Sequence, residues 1–168
     1  MKHTFSRRQA LTIMGTMALA PMSVGAAKKD DEKTAGMALQ LYTMRDPAKQ
    51  DLSGTLKKVR EIGWEYVQWS GMPDLPAEKI REELDKAGLK AVSAHIGVES
   101  FEKDFDGQVK FWKTVGVSAC GPGGMMDDCR KDLDAWLAGA KRFDALGAKL
   151  REVGIRLSYH NHNMEFEK

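Results

Sequence analysis

The chain has 168 residues, 42% hydrophobic and 30% charged, and its 26 Lys and Arg against 24 Asp and Glu give a formal charge of +2. That balance excludes an acidic disordered chain and a strongly basic nucleic-acid binder. Two cysteines are too few for a disulfide-dense scaffold, and the lack of any run of 18 apolar residues argues against a membrane span.

Residues 1–26 carry Lys2, Arg7 and Arg8 and no acid. An apolar stretch from Ala10 to Ala20 follows, then Pro21 and the small residues of Val24-Gly25-Ala26. A charged start, an apolar middle and a small-residue end make an export signal. Ser6-Arg7-Arg8-Gln9-Ala10-Leu11 resembles the twin-arginine motif, which implies export of a folded protein to the periplasm or beyond. Ala10 stands where Phe is favoured and Thr12 where Lys is; a general secretory signal or an N-terminal anchor is the alternative. Without this leader 23 basic residues face 24 acidic ones, so the mild basicity belongs to the leader. Nothing then points to a nucleic-acid partner. Residues 27–36 are polar and mixed in charge, and read as a linker.

From residue 37 the chain alternates strand and helix patterns. Met37–Thr43 reads as a strand. Leu52, Leu56, Val59 and Ile62 recur at helical spacing after the helix start Asp51-Leu52-Ser53. Gly63 ends that helix and Glu65–Ser70 reads as the second strand. Leu75-Pro76 starts a helix marked by Ile80, Leu84 and Ala87, which Gly88 ends before the strand Lys90–His95. Gly116 and Gly154 repeat the signal before Val117–Cys120 and Ile155–His162. Gly ends a helix in the left-handed conformation without a Cβ penalty. Such alternation predicts a parallel α/β fold. A doubly wound open sheet is the competing reading, weakened because no Gly-rich phosphate loop follows the first strand.

The strand faces point to a barrel. Leu39 and Leu41 oppose Gln40 and Tyr42; Val67 and Trp69 oppose Gln68 and Ser70. Val92 and Ala94 oppose Ala91, Ser93 and His95. Ile155, Leu157 and Tyr159 oppose Arg156, Ser158, His160 and His162. The apolar faces suit packing under helices. The others turn polar toward their C-terminal ends, where barrel enzymes place their chemistry. Gln40, Tyr42, Gln68, His95, His160 and His162 are therefore expected at one mouth.

Leu39-Gln40-Leu41-Tyr42-Thr43-Met44-Arg45-Asp46 resembles the opening strand of the sugar phosphate isomerase/epimerase family, which has a xylose-isomerase-like TIM barrel. Gly54 through Gly63, Tyr66-Val67-Gln68, Gly88 through His95 and Gly154 through His162 continue the resemblance. The segment ending Tyr159-His160-Asn161-His162 is the most specific part of it. The fold implied is α/β, a partial (β/α)8 TIM barrel over residues 37–168 with about five βα units. The function implied is a metal-dependent sugar or sugar phosphate isomerase or epimerase that transfers a proton beside a sugar carbonyl. Its partner is a small-molecule sugar; the oligomeric state is left open. The resemblance makes His160 the metal ligand and Gln40, Tyr42, Gln68, His95 and His162 substrate contacts. Family ligands come from the fifth to eighth strands, and His160 stands at a usual carboxylate position. Imidazole there favours Zn, Mn, Fe or Co over Mg. Gln68 stands where relatives often carry Glu; a neutral amide cannot act as a base, so it would bind hydroxyls. No residue is assigned as catalytic acid or base.

Each residue also has a plainer role. His95 could bond backbone at a strand end. Glu165 could supply a carboxylate, but reads first as a solvated loop residue. Cys120 and Cys129 could pair in an oxidising compartment. Trp64, Trp69, Phe111, Trp112 and Trp136 read as core, and Gly121-Pro122-Gly123-Gly124 as a loop bordering the mouth. A closed barrel needs eight strands and typically about 250 residues, so five units suggest a fragment. Two other functions fit the scaffold: a lyase or hydratase on oxidised sugars, and a non-catalytic carbohydrate-binding or degenerate protein. A DNA-repair endonuclease is disfavoured by export and charge.

Overall fold

Five short strands hydrogen-bond side by side in chain order, every neighbouring pair parallel. The computed structural model describes residues 37–166, so the expected leader and linker lie outside the described residues. The strands are β1 (Ala38–Gln40), β2 (Tyr66–Trp69), β3 (Lys90–His95), β4 (Ala119–Gly121) and β5 (Arg156–Leu157). Helices α1 (Arg45–Gln50) and α2 (Leu52–Ile62) join β1 to β2, and α3 (Ala77–Ala87) joins β2 to β3. Helices α4 (Val98–Lys103) and α5 (Phe105–Val115) precede β4, and α6 (Leu133–Glu152) precedes β5. A doubly wound sheet reverses its strand order at a switch point. The order here runs one way from β1 to β5, as in a βα barrel.

Local chemistry sets the helix ends. The Asp51 side chain accepts from the Gly54 N–H at 2.9 Å and caps α2. Gly63 ends that helix at φ 113°, a conformation that other residues adopt only at a cost. Asp104 and Asp132 cap α5 and α6 in the same way. The core lies between sheet and helices, with Val67, Trp69, Ala91 and Ala94 from strands against Leu56, Val59, Ile80 and Leu84 from helices. Trp112 is buried with them, and Trp64, Phe111 and Trp136 pack on this cluster as expected. Ile62 departs from its helical stripe: it is exposed at the last turn of α2.

Three expectations are corrected. The first strand stops at Gln40, and Leu41–Met44 form a 3-10 turn that carries Tyr42. The Thr43 hydroxyl donates to the Gln40 carbonyl at 3.0 Å, taking an acceptor that a longer ladder would use. The fifth strand is two residues long, not eight. Ser158 still donates its N–H to the Cys120 carbonyl at 2.7 Å, but Pro122, the next residue that would face β5, has no N–H to extend the ladder. Tyr159–His162 therefore run on as a loop.

The third correction concerns β3. Its pairing with β2 shifts register between Val67 and Gln68, so Val92 is an extra residue opposite none on β2. A bulge of this kind resets the alternation of side chains. Ala91 and Ala94 are both buried beside Val67 and Trp69, against the simple alternation that groups Val92 with Ala94. Ser93 pairs with Gln68 and puts His95, two residues on, toward the same side.

Candidate functional site

At the C-terminal ends of β1 to β3 the polar residues stack in two layers. In the lower layer Gln40 and Gln68 are register partners, and the Gln40 Nε2 donates to Gln68 Oε1 at 2.9 Å. In the upper layer the Ser70 hydroxyl lies 3.0 Å from His95 Nδ1. The His95 ring meets the His160 ring edge-on with centroids 5.1 Å apart, and His160 and His162 are 4.8 Å apart. Three imidazoles from β3 and from the loop after β5 therefore form one row.

This row opens into a cleft of about 400 Å³. Gln40, Tyr42, His95, His160 and His162 line it as expected, while Gln68 stands behind Gln40. Ser70, Gly71, Gly97 and Gly123 also line it. Ser70 could have been found from its place two residues after Gln68 on the same strand face. Gly123 belongs to the loop expected to border the mouth; Gly71 and Gly97 carry no such signal, because a residue chosen for the space it leaves has no side-chain chemistry to read. A larger hollow of about 600 Å³ runs beside β5, between Ser118, Gly147, Arg151 and Gly154. No histidine or glutamine converges there, so the cleft is the candidate site.

Burial pushes the His95 imidazole below its ordinary value of 6.5, and the neighbouring His160 and His162 add to this. A neutral imidazole donates at one nitrogen and accepts at the other. The loop carrying His160 and His162 is braced by Glu165, whose carboxylate accepts from the Tyr159 hydroxyl at 2.6 Å and from the His162 N–H at 2.7 Å. Burial, then Glu165, pushes the Tyr159 phenol up to about 12. Glu165 is thus a loop brace. Cys120 and Cys129 are both free and buried, and burial raises the Cys120 thiol to about 11. No disulfide joins them.

Among the described residues no three His, Cys, Asp or Glu side chains are grouped so as to hold a metal ion. The cleft lining contains imidazoles and amides but no carboxylate. By themselves the described residues do not complete a metal site. What they offer is a set of hydrogen-bond donors and acceptors for a hydroxylated ligand. Among the described residues no helix is long and apolar enough to cross a membrane.

No protein-family model and no curated protein matches the chain. Solved structures do resemble it. A sugar phosphate isomerase/epimerase from Parabacteroides distasonis ATCC 8503 is similar with a TM-score of 0.67 at 21% identity, over 82% of this chain and 55% of that one. A second from the same organism has a TM-score of 0.60 at 19% identity, over 79% and 57%. An AP endonuclease, family 2, from Brucella melitensis has 0.58 at 17%, over 73% and 53%. The chain thus spans about half the length of these proteins. Likeness at these identities concerns the fold, and the fold is part of a TIM barrel: five parallel strands with the helices that join them.

Proposed function

We propose that the cleft binds a small sugar and that the chain carries part of a sugar or sugar phosphate isomerase or epimerase. The observation that carries this reading is the convergence of Gln40, Gln68, Ser70, His95, His160 and His162 at the C-terminal ends of parallel strands. Gln40 would bind sugar hydroxyls through the amide groups it does not spend on Gln68, which holds it in place. His95 would donate to a carbonyl or hydroxyl oxygen. The reading includes a divalent ion, Zn, Mn, Fe or Co before Mg, with His160 as a ligand. The described residues do not complete its coordination. Export through the leader in residues 1–26 belongs to the same proposal and places the activity in the periplasm or outside the cell.

Solvent-exchange NMR tests the reading. The full chain is incubated in heavy water with aldoses, ketoses and their phosphates, with and without added divalent metal. Deuterium is expected at the carbon beside the carbonyl. No incorporation for any sugar under either condition overturns it. A second reading, non-catalytic sugar binding, is favoured by one observation: the described residues bring no set of metal-ligating groups to the cleft. Binding without exchange would select it.

A further inference from the structure

Ser70 follows the last residue of β2 and is 4% exposed. Its hydroxyl oxygen lies 3.0 Å from His95 Nδ1, on the last residue of β3. Two placements of the protons are possible. Either Ser70 donates to a bare Nδ1, or an Nδ1–H donates to Ser70. The second leaves the hydroxyl proton without an acceptor in a buried place, because the Ser70 hydroxyl makes no other hydrogen bond among the described residues. A buried polar proton left unpaired is costly, and the first placement avoids that cost.

The surroundings agree. A Cβ at Gly123 would lie 3.3 Å from His95 Nδ1, closer than ordinary side-chain contact. Gly123 is not among the glycines with positive φ, so what its missing side chain supplies is space beside that nitrogen. The ring's other nitrogen, Nε2, is then the polar atom that His95 can offer to the cleft it lines. We infer that Ser70 is a positioning residue: its hydroxyl donates to His95 Nδ1 and holds His95 as the tautomer with its proton on Nε2, a fixed donor for a carbonyl or hydroxyl oxygen of the ligand. The choice of a sugar as the ligand rests on the reading above; the tautomer does not.

Long-range proton–nitrogen NMR of the full chain, labelled with ¹⁵N-histidine and freed of metal by a chelator, reads this directly. His95→Gln assigns the His95 signals by their disappearance. The wild type is expected to show His95 almost wholly as the Nε2–H form. Ser70→Ala is expected to turn it into a mixture of both forms, and Ser70→Thr to restore the single form. A wild-type His95 with its proton on Nδ1, or a Ser70→Ala spectrum unchanged from wild type, overturns the inference. Should Ser70→Ala not fold, the wild-type spectrum decides alone. A sugar titration of the same samples separates the two proposals: an Nε2–H His95 that no sugar perturbs keeps this inference and removes the sugar reading.

Discussion

The side-chain amide of Gln40 donates to the side-chain carbonyl of Gln68 across the β1–β2 pair at 2.9 Å. Both are half-buried, and a net hydrogen bond of this kind contributes about 1 kcal/mol. Gln40→Ala and Gln68→Ala are each expected to lower stability by about 1 kcal/mol in urea unfolding. Gln68→Glu keeps an acceptor for Gln40 and is expected to lose about half of that or less. Equal losses for Gln68→Glu and Gln68→Ala would show that the pair does not act as a hydrogen bond.

Gly121 ends β4 where the chain of Ser158 passes closest. A Cβ there would overlap the Ser158 carbonyl oxygen, a backbone atom that cannot swing aside. Gly121→Ala must therefore push away the segment that carries His160 and His162. Forced overpacking costs about 1–3 kcal/mol, and a loss in that range is expected from the urea midpoint. The His160 and His162 resonances are expected to shift in the same variant, and an unchanged spectrum would contradict the close approach.

His95 gives a pH dependence with a definite sign. Its folded value lies below the 6.5 of the unfolded chain, so the unfolded state binds the proton more readily. The stability involved is fully present above pH 6.5 and is lost as pH falls toward and through the folded value. The slope for one group is at most about 1.4 kcal/mol per pH unit. The carboxylates held low in the fold, such as Glu102 beside Arg142, act mainly below their unfolded value of 4.5. Urea midpoints between pH 7 and pH 5, with chelator present, are expected to fall more steeply for wild type than for His95→Gln. Parallel curves would contradict the assignment.

Glu165 holds the histidine loop through the Tyr159 hydroxyl and the His162 N–H. Glu165→Ala removes both acceptors. The His162 amide is expected to exchange its hydrogen several-fold faster in this variant, while amides of β3 keep their protection. The Tyr159 phenol, raised first by burial and then by Glu165, is expected to titrate below its value of about 12. An unaltered His162 exchange rate would mean that the brace does not order the loop.

Much of the scaffold was legible because its signals are local. Asp51 and Gly63 bracket α2 through a capping bond and a left-handed backbone, both properties of single residue types. The bounds expected for β3, Lys90 and His95, are those observed. The bulge at Val92 was not legible, since pairing register depends on the neighbouring strand and leaves no mark in one strand's sequence. Tyr42 was placed on a strand because apolar and polar residues alternate there, yet Thr43 bonds the Gln40 carbonyl and starts a turn. Gln40, Gln68 and His95 were legible as a group, since they share a strand face and end; Tyr42 reaches the cleft from a 3-10 turn, and His160 and His162 from a loop. Gly123 was legible only as part of a loop bordering the mouth, and Gly97 was not, for its contribution is room. His160 as a metal ligand would need partner groups that the described residues do not bring to it.

The proposed occupant of the cleft at the strand ends is a sugar. Saturation-transfer NMR with the full chain and a panel of aldoses, ketoses and sugar phosphates tests it most directly, with His95→Ala as control. Transfer is expected to protons near the carbonyl of at least one sugar, weakened about tenfold or more in His95→Ala, in keeping with the loss of a hydrogen bond worth about 1.4 kcal/mol. No transfer to any sugar, or transfer that His95→Ala leaves unchanged, would contradict it.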